Sequence, residues 1–361
     1  MVGDPVRIGY SFWGFLGPGI TDTPDGGRSH RRTLIDGILG AGHDVVFLQP
    51  DRDLHDARDD LTGSYTWDSG LPAIDVLFLE WRWPVPGRNT TACGSEGHTC
   101  DLHRQDLLLA CYTLGQGLPT VIWDKDLQLP HADPLRHLPN VVVCEAALCP
   151  GPGAASLLFP VADATLDAAD PVALAAAPRP LPLAYAGNQY DRDEAFGEFF
   201  APAAARFAHR VAGKWTQTAD WPHVNFTGRC AFTDISALYQ SALATVLLLP
   251  ARYTRAGQMT QRLPEAVLAG CLPITPANTT CAGAFTPPAL HAADGQHVTD
   301  LIEHARAIAG TPGHAQLLAA CLDRLGIFRL SRQIAALDHV LERLTDASSS
   351  ARLHPAPTGP R

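Results

Sequence analysis

The 361-residue sequence has no apolar run approaching the length that spans a bilayer. Its opening, MVGDPVRIGYSFWG, has no basic segment followed by an apolar core and a small-residue cleavage site. Both absences predict a cytoplasmic chain. Positive charge is scarce as well: 27 Lys and Arg against 37 Asp and Glu give a formal net charge of −10. Such a field favours neither nucleic acid nor an anionic membrane as partner, though it leaves room for a local basic pocket. No GxGxxG follows the first strand-like run, so a hydride-transferring dinucleotide fold loses support. No strong zinc spacing occurs among the nine cysteines. Cys144, Cys149, Cys230, Cys271 and Cys321 lie in apolar segments and are expected as buried thiols. Cys93 and Cys100, in TACGSEGHTC with His98 and His103 nearby, are expected in a structural loop, a metal site or a disulfide being the alternatives.

What the chain does contain is alternation. VRIGYSF (6–12), DVVFLQP (44–50), DVLFLEW (75–81), PTVIWD (119–124) and NVVVCE (140–145) read as buried strands, with helix-length stretches between several of them. Strand and helix repeated in this way predict a doubly wound, mostly parallel α/β sheet. Residues 164–182, rich in Ala and Pro, mark a linker, after which LAYAGN, RVAGKW, HVNFTG, ATVLLLP and LPITP restart the pattern. Helices are expected at 192–209, 233–242 and 260–270, and a long helix near the carboxyl terminus is placed to pack across both halves. The expected organisation is a first Rossmann-like domain at 1–178, a second at 179–345 and a disordered tail at 346–361.

Two such domains facing each other place ligands in the cleft at the carboxyl ends of their strands. The loop after the first strand, GFLGPGITDTPDGGRSHRRTL, has five glycines before its helix, and Gly26, Gly27 and Arg28 could approach a ligand closely. Glu80, Arg82, Trp83, Arg88, Asp124 and Asp126 cluster after two further strands. With Trp13 and Trp81 they suit a ring-shaped acceptor, whose apolar face meets indole and whose hydroxyls meet charge. Asp124-Lys-Asp126 also has the form of a metal-binding Asp pair, but a carboxylate that bonds a hydroxyl or acts as general base is the preferred reading, with no metal. In the second half Asn188, Arg192 and Lys214 follow strands, and Arg252, Arg255 and Arg262 surround a Gly-containing turn. A cation in the first turn of a helix opposes the dipole preference, which makes sense if Arg192 faces an anion.

The segment PEAVLAGCLPITP resembles the donor-site segment of glycosyltransferases with two Rossmann-like domains, the GT-B fold. That resemblance implies that Glu265 accepts hydrogen bonds from the ribose hydroxyls of a nucleotide sugar, as an acceptor-only carboxylate is equipped to do. GGRSHRRTLIDGILGAGHDVVFL and AYAGN followed by Arg192 resemble other parts of these enzymes, and the nearest family likeness is to the CgeB-like glycosyltransferases. It is best over residues 183–280 and weaker over 5–50. One departure stands out: many retaining members carry a further Glu eight residues before the ribose Glu, where this chain has Gly257.

These readings combine into an expected metal-independent glycosyltransferase that needs no cofactor beyond its nucleotide-sugar co-substrate, uridine diphosphate being the commonest carrier in the family it resembles. Glu265, Arg192, Lys214, Arg262, Asn188 and Gly257 form the expected donor site. Asp124 or His30 is the expected base, and a small molecule or saccharide the expected acceptor. The alternatives are an epimerase or hydrolase acting on a nucleotide sugar in the same cleft, and a non-catalytic nucleotide-binding protein of the same fold, for which Gly257 is the best argument.

Overall fold

The computed structural model describes residues 5–17 and 26–353, the last eight of these by backbone alone. Residues 18–25 of the glycine-rich loop and 354–361 of the expected tail lie outside the described residues.

The first sheet has seven strands: β1 (Arg7–Ser11), β2 (Asp44–Phe47), β3 (Thr66–Trp67), β4 (Val76–Glu80), β5 (Thr120–Asp124), β6 (Val141–Glu145) and β7 (Ala155–Ser156). Their spatial order is β3-β2-β1-β4-β5-β6-β7. The second sheet contains β8 (Leu181–Ala186), β9 (His209–Ala212), β10 (Ala242–Val246), β11 (Leu272–Pro276) and β12 (His291–Ala292), in the order β12-β11-β10-β8-β9. Every pairing in both sheets is parallel, with Ile8 opposite Val76 in the first and Ala244 opposite Leu183 in the second. Strands covered on both faces read as continuous apolar runs, which is why VLFL and VVVC were legible.

Strand order reverses between β1 and β4 in the first sheet and between β8 and β10 in the second. These are the switch points at which doubly wound sheets open a crevice beyond their carboxyl ends.

Two faces of the first sheet carry separate cores, one around Tyr10, Phe47, Phe78 and Trp123, the other around Leu77, Leu79, Tyr112 and Ile122. The core of the second sheet gathers Tyr185, Phe196, Phe200, Phe285 and Phe328. The chain crosses between sheets twice, at adjacent places. After β7 it passes through Val161, whose N–H donates to Phe328 O and whose carbonyl accepts from Leu330 N, both at 2.8 Å. The returning chain forms the helix Leu330–Leu353, which seats Leu337, Val340, Leu341 and Leu344 against Leu34, Ile35 and Ile38 of the helix Arg31–Gly40. That spacing of three, four and seven is one face of a helix, so the carboxy-terminal segment closes the first core rather than the second.

Several expectations need correcting. HVNFTG (223–228) makes no strand, only an isolated bridge between Val211 and Phe226. The linker at 164–182 contains the short helices Asp163–Asp167 and Pro171–Ala176; Asp170 caps the second by accepting from Val172 N, with Pro171 at its first position. The stretch 192–209 is broken into three short helical pieces, the central one, Phe196–Phe200, π-helical. The tail expected from 346 is helical through Leu353. Cys149 is exposed, with its sulfur 3.7 Å from that of Cys281 across the two halves, and Cys230 is half-buried. Cys93 and Cys100 are free, exposed thiols 3.8 Å apart.

Candidate functional site: an arginine-lined cleft

A cavity of about 470 Å³ opens between the two sheets, walled by loops that leave β1, β4, β5, β8, β9 and β10. A wider hollow of about 940 Å³ lies elsewhere, against Ala164–Arg179 and Ala269. That second hollow offers little chemistry, because the Arg179 guanidinium in its wall is held by five backbone carbonyls, those of Leu174, Tyr239, Gln240, Ala242 and Ala269.

From the second domain the cleft receives Glu265, in the first turn of the helix Arg262–Leu268. Glu265 is half-buried. Burial pushes its carboxyl pKa up, while the neighbouring Arg262 guanidinium and a hydrogen bond from the Ser29 hydroxyl of the first domain pull it down. Arg262 donates through Nε to Ala186 O at the end of β8. Arg192 is buried at the start of its helix and bonds Leu248 O at 3.2 Å and Tyr190 O at 2.7 Å through Nε and Nη1. It therefore clips the β8 loop to the β10 loop while lining the cleft. Asn188 lines it too and holds Lys214 N through Oδ1 at 2.8 Å.

Two expected donor residues fall elsewhere. The Lys214 side chain is exposed and does not line the cleft. Gly257 ends the helix Ala251–Ala256 in the left-handed region, at φ 59°, and a Cβ there would sit 3.0 Å from Thr280 O. Its carbonyl accepts from Leu148 N of the first domain, so the position serves an interdomain contact. Its neighbours Gln258 and Gln261, both buried, face the cleft instead; Gln258 Nε2 donates to Lys125 O at 2.6 Å.

Gly187 and Gly213 bring the loops after β8 and β9 into contact at the cleft. A Cβ on Gly213, at φ 144°, would fall 2.0 Å from Gly187 O. Gly213→Ala is expected to destabilise the second domain by about 1–3 kcal/mol and to weaken ligand binding in the cleft. Urea unfolding with and without uridine diphosphate measures both.

The first domain contributes Gly27, Arg28, His30, Arg82, Trp83 and Asp126, among others. Gly26 opens the 3₁₀ turn Gly26–Ser29. His30 packs its ring 4.3 Å from that of Phe159 and 5.4 Å from that of Trp123. Arg28 lies 4.8 Å from the ring of Phe232 in the opposite domain, a cation–π contact over the cleft. Asp126 accepts from Tyr253 Oη at 2.6 Å, and its carbonyl from Arg252 Nε at 2.9 Å, so it too joins the two halves.

Glu80, Asp124 and Trp13 do not line the cleft. Glu80 is wholly buried and accepts from Arg31 Nε and Nη2 at 2.8 and 2.7 Å, from Lys125 Nζ at 2.5 Å and from Tyr10 Oη at 2.9 Å. Despite burial, these cations hold its pKa well below the usual carboxylate range. It thus organises the cations behind the wall rather than meeting an acceptor. Asp124, also fully buried, caps the turn after β5 by accepting from Gln128 N and Leu129 N at 3.0 and 2.7 Å, which removes it as a base. Burial raises its pKa. Asp126 points to a different set of partners because the chain turns at Leu127, whose φ is 52°. Trp13 is a platform behind the wall: Arg88, Arg52 and Arg82 lie 4.5, 5.4 and 5.7 Å from its ring.

Sequence reasoning missed Ser29, Lys125, Gln258, Gln261 and Phe232 as cleft residues. Lys125 was readable as the centre of the Asp-Lys-Asp tripeptide; the others carry no sequence signal of their own. No group of three or more His, Cys, Asp or Glu able to hold a metal occurs among the described residues, and no helix among them is long and apolar enough to cross a membrane.

Two parallel sheets with facing switch points and a carboxy-terminal helix that returns to the first domain define the GT-B architecture of glycosyltransferases. T4 phage BGT in complex with its UDP-glucose substrate has this fold at a TM-score of 0.62 and 12% identity, over 94% of this chain and 99% of that one. The same phage enzyme has been solved with UDP and Mn2+. AviGT4, a glycosyltransferase involved in avilamycin A biosynthesis, matches at 0.57 and 14% over 96% and 99%. An alpha-glucosyltransferase in complex with UDP and a 13-mer DNA matches at 0.58 and 10% over 94% and 100%. No family profile matches the chain, and no curated protein matches it in sequence.

Proposed function

We propose that this protein transfers a sugar from a uridine-diphosphate donor to a hydroxyl or amine of an acceptor, and that the cleft is where it does so. The observation that carries this reading is Glu265, a half-buried carboxylate at the switch point of the second sheet with Arg262 beside it and Arg192 lining the same cavity. A ribose diol supplies two donors to such a carboxylate, and the guanidinium groups supply the charge that a departing diphosphate requires. The structural neighbours crystallised with UDP or UDP-glucose support the choice of donor. The likeness of AYAGN, Arg192 and PEAVLAG to CgeB-like enzymes belongs to the same proposal.

His30 is the base in this scheme, since of the two expected bases it alone lines the cleft. It would take the acceptor proton as the acceptor oxygen or nitrogen bonds to the anomeric carbon and the diphosphate leaves. Arginines neutralise the leaving group, so transfer is expected to persist when divalent ions are chelated.

The test is turnover of a UDP-sugar panel against acceptor libraries, followed by release of UDP, with EDTA or Mn2+ added. Turnover is expected in EDTA, lost in His30→Asn by about 10²–10⁴-fold and largely retained in Asp124→Asn. A protein that releases UDP equally well without acceptor would be a hydrolase, and one that binds UDP but turns over no donor would be a binding protein.

A further inference from the structure

All nine cysteines lie among the described residues, and the four that are exposed form two close pairs. Cys93 and Cys100, with sulfurs 3.8 Å apart, share one loop of the first domain. Cys149 and Cys281 differ in kind, because 132 residues separate them and their sulfurs meet at 3.7 Å across the two domains. Neither belongs to a hydrophobic core, so burial of apolar surface does not explain their meeting. Cys144, Cys271 and Cys321, by contrast, are buried, and burial pushes their thiols up, which keeps them inert.

The contact is built from backbone. Leu148 and Cys149, in the loop that follows β6, donate their N–H groups to Gly257 O and Ala256 O at 3.0 Å each, and Ala147 bridges Gln258 in antiparallel fashion. The same second-domain segment holds the other cysteine loop, since Thr280 N donates to Thr254 O at 2.9 Å. Cys281 follows in the left-handed region, at φ 59°, ahead of the helix Ala282–Phe285. Residues 254–258 thus set the two cysteine-bearing loops against each other. Gly257 permits the approach: a Cβ there would lie 3.6 Å from Cys281 Cβ as well as against Thr280 O. The sulfurs stand at van der Waals separation, and a disulfide needs about 2.0 Å, which leaves a closure of less than about 2 Å to side-chain rotation and loop adjustment.

We propose that Cys149 and Cys281 form a redox site at which a low-molecular-weight disulfide oxidises the two thiols to a disulfide that ties the domains together beside the cleft. One thiolate attacks a sulfur of the small disulfide, forming a mixed disulfide and releasing the first small thiolate. The second cysteine loses its proton, attacks the protein sulfur of the mixed disulfide and releases the second. The protein gives up two electrons and two protons, and the small disulfide takes them up as two thiols; excess small thiol reverses the exchange. The strip so fixed continues into Gln258, which lines the cleft and donates to Lys125 O of the first domain, so the bridge holds the two walls in register on that side. The site is independent of what the cleft binds.

The test uses the full chain with Cys93→Ser and Cys100→Ser, so that one exposed pair remains. It is incubated with oxidised glutathione at about pH 8.5, where thiolate is available, and read by mass spectrometry of the intact protein and of its proteolytic fragments. The expected product is a folded protein lighter by two hydrogens, with a fragment that joins Cys149 to Cys281. Adding Cys149→Ser or Cys281→Ser should instead leave one glutathione on the remaining thiol of the pair. Bridge formation should be at least about tenfold faster in the folded protein than in urea, because only the fold brings these positions together. Hydrogen exchange at the Leu148 and Cys149 amides should slow about tenfold on oxidation, since each donates across the domain contact. Two free thiols, glutathione held on either cysteine with no bridge, or a bridge that closes no faster in the folded protein than in urea would overturn the redox site. Unchanged exchange at the two amides in the bridged protein would overturn the tie between the domains.

Discussion

Glu80→Gln is expected to destabilise the first domain by about 3–5 kcal/mol, the largest effect of any single substitution considered. The carboxylate has no exposed surface and stands between Arg31, also fully buried, Lys125 and Arg82. An amide of the same shape removes the charge that Arg31 meets through two hydrogen bonds and turns one acceptor oxygen into a donor that faces guanidinium N–H groups. The loss would be read by denaturant unfolding of the purified variant. A cost below about 1 kcal/mol would mean that water reaches the cluster and screens it as it does a surface pair.

The acid limb gives the same cluster an independent check. The pKa of Glu80 is lowered in the folded protein, so its ionised form contributes stability above the ordinary carboxylate range, and that contribution is lost only as pH falls through the depressed folded value. Wild type and Glu80→Gln should therefore stay far apart in stability at pH 5 and converge only in strong acid.

The strands were legible because a doubly wound sheet buries both faces, so VLFL, TVIW and VVVC each appear as an apolar run ending at a switch-point loop. The carboxylates at those ends were not legible individually. Glu80 and Asp124 both follow such runs, and both were expected in the cleft. What withdraws them is invisible locally: Arg31, forty-nine residues upstream, claims Glu80, and the amides of Gln128 and Leu129 claim Asp124 after an unusual backbone turn at Leu127. Glu265 was placed correctly in its helix, but its partner Ser29 comes from the opposite domain. Contacts such as Tyr253 with Asp126 join positions separated by 127 residues, and no period or spacing encodes them. The charge of the cleft was hidden for a related reason. Eight cations drawn from separate loops do not form a basic stretch, and the acidic remainder of the chain masks them in the total.

Glu265→Gln should separate two effects that usually move together. In the ligand-free protein, burial raises the Glu265 pKa, so its contribution to stability is largest below the ordinary carboxylate pKa and diminishes as pH rises through the folded value. At neutral pH the wild type therefore carries a carboxylate that its surroundings disfavour, and the amide does not. The ligand-free variant is expected to melt at the wild-type temperature or above it at pH 7, and the difference should vanish near pH 4. The response to nucleotide should go the other way. UDP at one hundred times its dissociation constant is expected to stabilise the wild type by about 2.7 kcal/mol, and the variant should lose most of that increment, because an amide offers a ribose diol one acceptor oxygen and a competing donor. Thermal melts of both proteins with and without UDP decide the matter. A variant that keeps the full increment would place the ribose elsewhere in the cleft, whereas one that gains stability alone and loses the increment would show a carboxylate retained at the expense of the fold for what it binds.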